Sequence, residues 1–287
     1  MSDLSRVSET LVPPPQGEGD REAVEGASAQ TVEEAPSVGS AATSPCGGGT
    51  SAFTYSFTAA SCGGLSLRVR NAAVVFRPSG AMWLPASRTL VVADLHLEKG
   101  SAYAARGQLL PPYDTADTLR RLGAEVAATD PAAVVLLGDT FHDRYAEDRL
   151  APAHGETLIA LADGRRLVWV IGNHDADGPR RLPGETADET IIEGLTFRHE
   201  PQAGAQPGEV AGHLHPAARV VATRGSVRRR CFVTDGERII LPAFGAYAGG
   251  LNIRDVAFSG LFARAPLAAV LGPTRVRAAG WRQLADD

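Results

Sequence analysis

Thr89-Leu90-Val91-Val92-Ala93 runs straight into Asp94-Leu95-His96. Five apolar or β-branched residues in a row suffice for a strand buried on both faces and are too few for a buried helix. The abrupt change to an acid and an imidazole marks the strand end. The same event recurs four times downstream. Ala133–Leu137 stops at Gly138-Asp139, and 167–171 (LVWVI) stops at Gly172-Asn173-His174-Asp175. Leu195–Arg198 leads into His199, and Val210-Ala211 leads into Gly212-His213-Leu214-His215. Helical patterns separate the first three runs: 114–128, with Asp114 as its cap and Ala116, Leu119, Leu122 and Val126 along one face, and 152–162. Ala72–Phe76 reads as a further strand, and 231–234 with 238–241 as a hairpin about Asp235-Gly236. Strands alternating with helices predict a layered α/β fold, whose strand-end loops converge on one rim where ligands bind.

Five of the seven histidines, His96, His174, His199, His213 and His215, sit at those strand ends, together with Asp94, Asp139 and Asn173. Taken singly, each has a plainer use: Asp94 or Asp139 as a cap, Asn173 as a turn residue, His199 as a hydrogen-bonded histidine. Taken together they form a donor set of carboxylate, amide oxygen and imidazole without thiolate. Such a set suits intermediate divalent ions, manganese first, with iron and zinc as alternatives. The donors exceed the four of a closed structural zinc site and are enough for a two-metal centre. His142 and His154 carry no motif role, and Asp143 reads as a solvated loop position.

The chain has 287 residues, 44% hydrophobic and 21% charged, an ordinary balance for a chain with a core. Residues 1–64 hold eight acidic residues against Arg6 and Arg21, a net of −6, and are rich in Pro, Gly, Ser and Ala. This segment predicts disorder, because it cannot bury enough apolar surface to offset the entropy of ordering. The domain is therefore expected over 65–287, which is nearly neutral. Cys46, Cys62 and Cys231 form no close pair, favouring a reducing cytoplasm over a disulfide scaffold. No run approaches the roughly 18 apolar residues of a membrane span.

In order and spacing, Asp94-Leu95-His96, Gly138-Asp139, Gly172-Asn173-His174-Asp175, His199 and Gly212-His213-Leu214-His215 resemble the calcineurin-like metallophosphoesterase superfamily. Trp83-Leu84-Pro85-Ala86, 93–100 (ADLHLEKG), Leu110-Pro111-Pro112-Tyr113-Asp114-Thr115 and Pro242-Ala243-Phe244-Gly245 are similar to one branch, the bacterial ligase-associated DNA damage response endonucleases. The resemblance spans about 74–284. It implies a β-sandwich of two mixed sheets flanked by helices in four layers (αββα). It implies that Asp94, His96 and His215 hold one metal, Asn173, His199 and His213 a second, and that Asp139 bridges them. His174 would then act on the leaving oxygen, oriented through a hydrogen bond with Asp175, and a metal-bridging water would be the nucleophile.

The resemblance also implies DNA as substrate, with DNA ligase and helicase as functional neighbours. Lys99, Arg106 and Tyr247 are candidate substrate contacts beside the first motif and in the Gly-rich run 244–251, which reads either as a flexible substrate loop or as a packing turn. Arg228-Arg229-Arg230 reads as a solvated hairpin edge in preference to a phosphate grip. Other readings of the same residues are a nucleotide or small-molecule phosphodiesterase, a phosphomonoesterase, and a non-catalytic repair subunit. The intact His174 argues against the last.

Overall fold

The computed structural model describes residues 56–222 and 225–287; the segment expected to be disordered lies outside them except for 56–64. One sheet carries β1 (Phe57–Ala59), β2 (Leu65–Val69), β3 (Ala72–Phe76), β4 (Met82–Leu84) and β5 (Thr89–Ala93) as an antiparallel run. It continues in parallel through β6 (Ala133–Leu137), β7 (Arg166–Val170) and β8 (Glu185–Ala187). The folded region thus starts before the expected boundary at Leu65. Phe57 packs against the inter-sheet core, and its strand pairs with β2.

The parallel strands are joined by α1 (Lys99–Ala104) and α2 (Asp114–Thr129) after β5, and by α3 (Ala146–Arg149) and α4 (Pro152–Leu161) after β6. The second sheet contains β9 (Glu189–Ile192), β10 (Leu195–Arg198), β11 (Glu209–Ala211), β12 (Pro216–Ala222) and β13 (Gly225–Thr234). It is completed by β14 (Ile239–Ile240), β15 (Leu251–Asn252), β16 (Leu267–Leu271), β17 (Val276–Gly280) and β18 (Leu284–Ala285). Its central order is β15-β12-β13-β14-β11-β10-β9, with β16 on β13, β17 on β16 and β18 on β12. Among the described residues, no helix is long and apolar enough to cross a membrane.

The unbroken apolar runs of β5, β6 and β7 follow from burial on both faces. Val91, Ala93, Val135, Leu137, Val168 and Val170 point into the space between the sheets, against Phe197, Val210, Phe232 and Ile239 of the second sheet. Their alternates, Leu90, Val92, Val134, Leu136, Leu167 and Trp169, face Leu119 and Leu122 of α2 and Leu158 and Leu161 of α4. On the far side of the second sheet, Ile253, Phe258 and Leu261 of a loop with one 3₁₀ turn pack over Ala218, Cys231, Val233 and Ile240. The result is a two-sheet sandwich flanked by helices, with a thin outermost layer on that side.

Helix α2 departs from the sequence expectation at its start. Tyr113, not Asp114, is its N-cap residue, and the buried Asp114 carboxylate instead accepts the Gly100 N–H at 3.0 Å. The buried stripe is Thr115, Thr118, Leu119, Leu122 and Glu125, while Ala116 faces solvent. The helix lies against the turn before α1 as well as the sheet; Thr115 Oγ1 accepts the Glu98 N–H at 2.8 Å.

Phe76 and Phe232 stack across the sandwich with ring centroids 4.2 Å apart and planes within 5°, both fully buried. Phe232→Ala is expected to lower the unfolding free energy by about 3–5 kcal/mol, the usual result of emptying a buried aromatic site. Denaturant titration measures this, and a loss well under that range would show that the two sheets do not depend on this stacked pair.

Candidate metal centre

The apolar runs end together at one rim, where backbone bonds stitch their loops to one another. His96 N–H donates to the Asp139 carbonyl at 2.9 Å, Leu97 N–H to Thr140 at 2.9 Å, Gly212 N–H to His199 at 2.9 Å and Gly245 N–H to Asp94 at 3.1 Å. The cost of this convergence shows in the dihedrals. Asp94, His96, Asp139, His213 and His215 all have left-handed backbone, with φ of 53°, 45°, 43°, 67° and 45°. Each such residue is unfavourable by on the order of 1–2 kcal/mol, and clusters of them occur where surrounding structure holds a functional geometry in place. The glycines of the motifs answer the same crowding. A Cβ on Gly138 would overlap the His199 ring, and one on Gly172 would overlap the Asp139 carboxylate.

Three groups of potential donors result: His96, His142 and His174 make one, and the other two contain the expected ligands. Asp94, His96 and His215 form one, with His96 Nε2 3.1 Å from His215 Nε2 and Asp94 Oδ1 3.5 Å from His215 Nε2. Asp139, His199 and His213 form the other, completed by Asn173, whose Oδ1 lies 2.9 Å from His199 Nε2 and 3.0 Å from His213 Nδ1. The Asp139 Oδ2 stands between the sets, 3.4 Å from His199 Nε2 and 3.9 Å from His96 Nε2. All seven residues that the resemblance implies as ligands therefore lie together at this rim.

These atoms fit a cation better than one another. His199 Nε2, His213 Nδ1 and Asn173 Oδ1 form a triangle with sides of 2.9, 3.0 and 3.1 Å. The amide oxygen only accepts, and ring nitrogens sharing protons cannot satisfy every side at once. Burial, then the neighbouring His215, pushes the His96 imidazole down to about 3, which leaves its lone pair free at neutral pH. Burial opposes ionisation of Asp139, but its hydrogen bond with His199 and the histidine charges outweigh this and hold the carboxylate at about 2. Burial likewise lowers His199, and the Asp139 and Asp94 carboxylates override it and raise the imidazole. Asp94 and Asp139 are almost fully buried on either side of the His199 ring; two buried carboxylates call for positive charge, and oxygen and imidazole donors suit a divalent ion.

The family model for calcineurin-like phosphoesterases matches residues 87–238, which include every one of these donors. The chain belongs to that family. It is a hydrolase of phosphoester bonds that binds divalent metal. Among solved structures it is similar to the Pseudomonas putida nuclease MPE, with 30% identity and a TM-score of 0.58 over 75% of this chain and all of that one. It also matches Yfce, a phosphoesterase from E. coli, at 15% identity and a TM-score of 0.34, over 67% of this chain and 98% of that one. A comparison with curated proteins returned no match.

Around the metal sets, the phosphoesterase differs from the sequence expectation in several places. Asp175 does not hold His174. Its buried carboxylate accepts the Gly172 N–H at 2.9 Å and the Phe141 N–H at 3.1 Å, tying together the loops after β6 and β7. The His174 Nδ1 lies 2.8 Å from the carbonyl of His142, and the His142 ring stacks 5.6 Å away. His142 thus belongs to the site although it has no ligand motif; its position three residues past Asp139, on the same loop, is the signal. Asp143 is not solvated but paired through both oxygens with Arg149, at 3.1 and 2.9 Å. His154 lies on α4 and takes no part in either donor set.

The run 244–251 is a packing turn. Arg230 reaches the carbonyls of Ala243, Gly245, Ala246 and Ala248, so it is no solvated edge residue. Thr118 accepts the Ala246 N–H at 3.0 Å, Arg121 binds the Phe244 carbonyl at 3.0 Å, and Lys99 Nζ donates to the Tyr247 carbonyl at 2.7 Å. Lys99 and Tyr247 are thereby brought together. Lys99 and Arg106 both lie close enough to His142 to help lower its imidazole to about 4, an effect led by burial and the His174 charge.

Gly172→Ala is expected to displace the Asp139 carboxylate and reduce bound metal below half of wild type while the fold survives. Metal analysis beside circular dichroism checks this; full metal content would show that the close approach is dispensable. Asp175→Asn should leave metal bound but reduce turnover, because an amide cannot accept from both N–H groups through equivalent charged oxygens. Unchanged turnover would show that the joined loops tolerate loss of that charge.

Proposed function

We propose that this phosphoesterase cleaves phosphodiester bonds of DNA with two divalent ions, manganese foremost, and works beside a DNA ligase and a helicase in cytoplasmic DNA repair. The observation that carries the reading is the pair of donor sets sharing Asp139, with His174 Nε2 4.0 Å from the Asp139 Oδ2. The similarity to a nuclease along that protein's whole length supports the polymer substrate, and the motifs around Trp83 and Pro242 support the repair branch.

Asp94, His96 and His215 would hold one ion and Asn173, His199 and His213 the other, with Asp139 shared. Bound there, two ions supply charge neutralisation at the phosphate and acidify water, which makes a nucleophile available at neutral pH. The chain's own part centres on His174. A carbonyl can only accept, so its bond with His142 keeps the proton of that imidazole on Nδ1 and leaves Nε2 facing the substrate. Protonated at Nε2, His174 is placed to give that proton to the departing oxygen. Its side chain is 41% exposed, so a substrate can reach it from solvent.

The test is cleavage of end-labelled single-stranded, duplex and nicked DNA with Mn²⁺. Wild type should cut, and chelator should abolish cutting. His174→Ala should lose about 10²–10⁴-fold in turnover with its metal content unchanged, whereas Asp139→Asn should lose metal and activity together. A generic aryl phosphodiester hydrolysed in the absence of DNA cutting would move the substrate to a small molecule. Full activity of His174→Ala would remove that residue from the mechanism.

A further inference from the structure

Arg219 of β12 and Arg228 of β13 stand directly opposite each other in register. Like charges facing each other across an antiparallel pair repel, so this arrangement needs a reason and a counter-charge. The counter-charge is Asp286-Asp287, just beyond β18. Arg228 Nε donates to Asp287 Oδ1 at 3.0 Å, and Arg254 Nε to Asp286 Oδ1 at 2.7 Å. Arg219 Nη1 reaches the Asp286 carbonyl at 3.4 Å. Arg254 lies over the Trp281 ring at 5.2 Å.

The placement of this cluster ties it to the metal centre. Arg230, two residues along β13 and on the same face as Arg228, grips the carbonyls of the turn that follows Ala243. Arg228 Nη2 itself donates to the Gly250 carbonyl at 2.5 Å, and the next residue, Leu251, bonds through its N–H to the carbonyl of His215 at 2.9 Å. The arginine face therefore extends from the rim on the His215 side. The aspartates on it remain half or more open to water, with side chains 50% and 78% exposed, and exposed ion pairs of this kind are weak and screened by salt. Guanidinium groups match phosphate in shape and exchange a carboxylate for it readily.

We infer that Arg219, Arg228 and Arg254 form a docking site for the phosphodiester backbone of a nucleic-acid strand leaving the metal centre, and that Asp286-Asp287 lie on it as an internal anionic competitor that the strand displaces. This rests on the nucleic-acid reading above and adds to it a route for the strand and a means of weakening the hold on it. The competing explanation is structural: the two aspartates simply clamp β18, which pairs with β12 through Arg219–Ala285 and Val220–Leu284.

The experiment uses the full-length, manganese-loaded protein and a fluorescent phosphorothioate DNA oligonucleotide, with binding read by anisotropy across a salt series. Asp286→Asn/Asp287→Asn is expected to bind roughly three- to tenfold more tightly at low salt, the gain shrinking as salt screens the charges. Hydrolysis of bis(p-nitrophenyl) phosphate should be unchanged in that variant. Arg219→Gln/Arg228→Gln should bind more weakly, with the slope of log K against log salt reduced by about 0.7 for each phosphate no longer neutralised. Unaltered oligonucleotide affinity in the aspartate variant, even with a lowered melting temperature, would overturn the competitor role and leave the clamp. An unaltered salt slope in the arginine variant, with its fold intact by circular dichroism, would overturn the docking site. Hydrolysis of the small diester is scored separately: its loss in wild type would count against the phosphodiesterase reading, and its presence without DNA binding would reject the docking site alone.

Discussion

Two carboxylates, those of Asp94 and Asp139, are buried where the sheets meet at the rim, and the surrounding loops are arranged to make that tolerable. An isolated charge in such a place is expensive unless it is paired and hydrogen-bonded. Asp94 accepts the His213 N–H at 3.0 Å and Asp139 the His174 N–H at 2.9 Å, each from a loop that carries metal-ligand candidates of its own. Every anion is thus supported by a neighbouring motif. No single motif forms its half of the centre alone: one half draws on the first and last motifs, the other on the last four.

This mutual support explains the unusual backbone. Left-handed residues at Asp94, His96, Asp139, His213 and His215 turn side chains inward that an ordinary strand end would point to opposite faces. The loops remain in that conformation because their N–H and carbonyl groups are bonded to one another beyond the ends of the strands. Behind them, Asp175 joins the loops after β6 and β7, while Arg230 and Arg121 hold the turn after Ala243. Loops held by one another in this way keep the donor groups close together, and preorganisation of that kind is what a functional site requires.

The fold was legible where burial was simple. β3, β5 and β6 follow from continuous apolar runs, because strands covered on both faces have no solvent side to interrupt the pattern. The donor set was legible because its residues are polar groups at the ends of such runs. The stripe of α2 was read less well: Thr115 and Thr118 are buried for their hydroxyl bonds, which hydrophobic periodicity does not register. The resemblance points to Asp175 as the support of His174, whereas the support comes from the backbone of His142 on another loop. A main-chain carbonyl leaves no mark on residue type.

By itself the sequence determined the residue chemistry: the buried apolar runs of β3, β5 and β6, and the carboxylate, amide and imidazole groups at strand ends that suit a cation. These follow from local patterns, since burial and donor type belong to individual side chains. The tertiary structure alone decided that Asp143 pairs with Arg149, and that Arg230 holds a turn while Arg228 meets Asp287. Arg228 and Arg230 share one face of β13, yet one reaches the carboxyl end of the chain and the other the carbonyls after Ala243, so identical letters acquire different tasks once the second sheet is assembled. Distances between charges depend on chain segments far apart in sequence, and only packing brings them together.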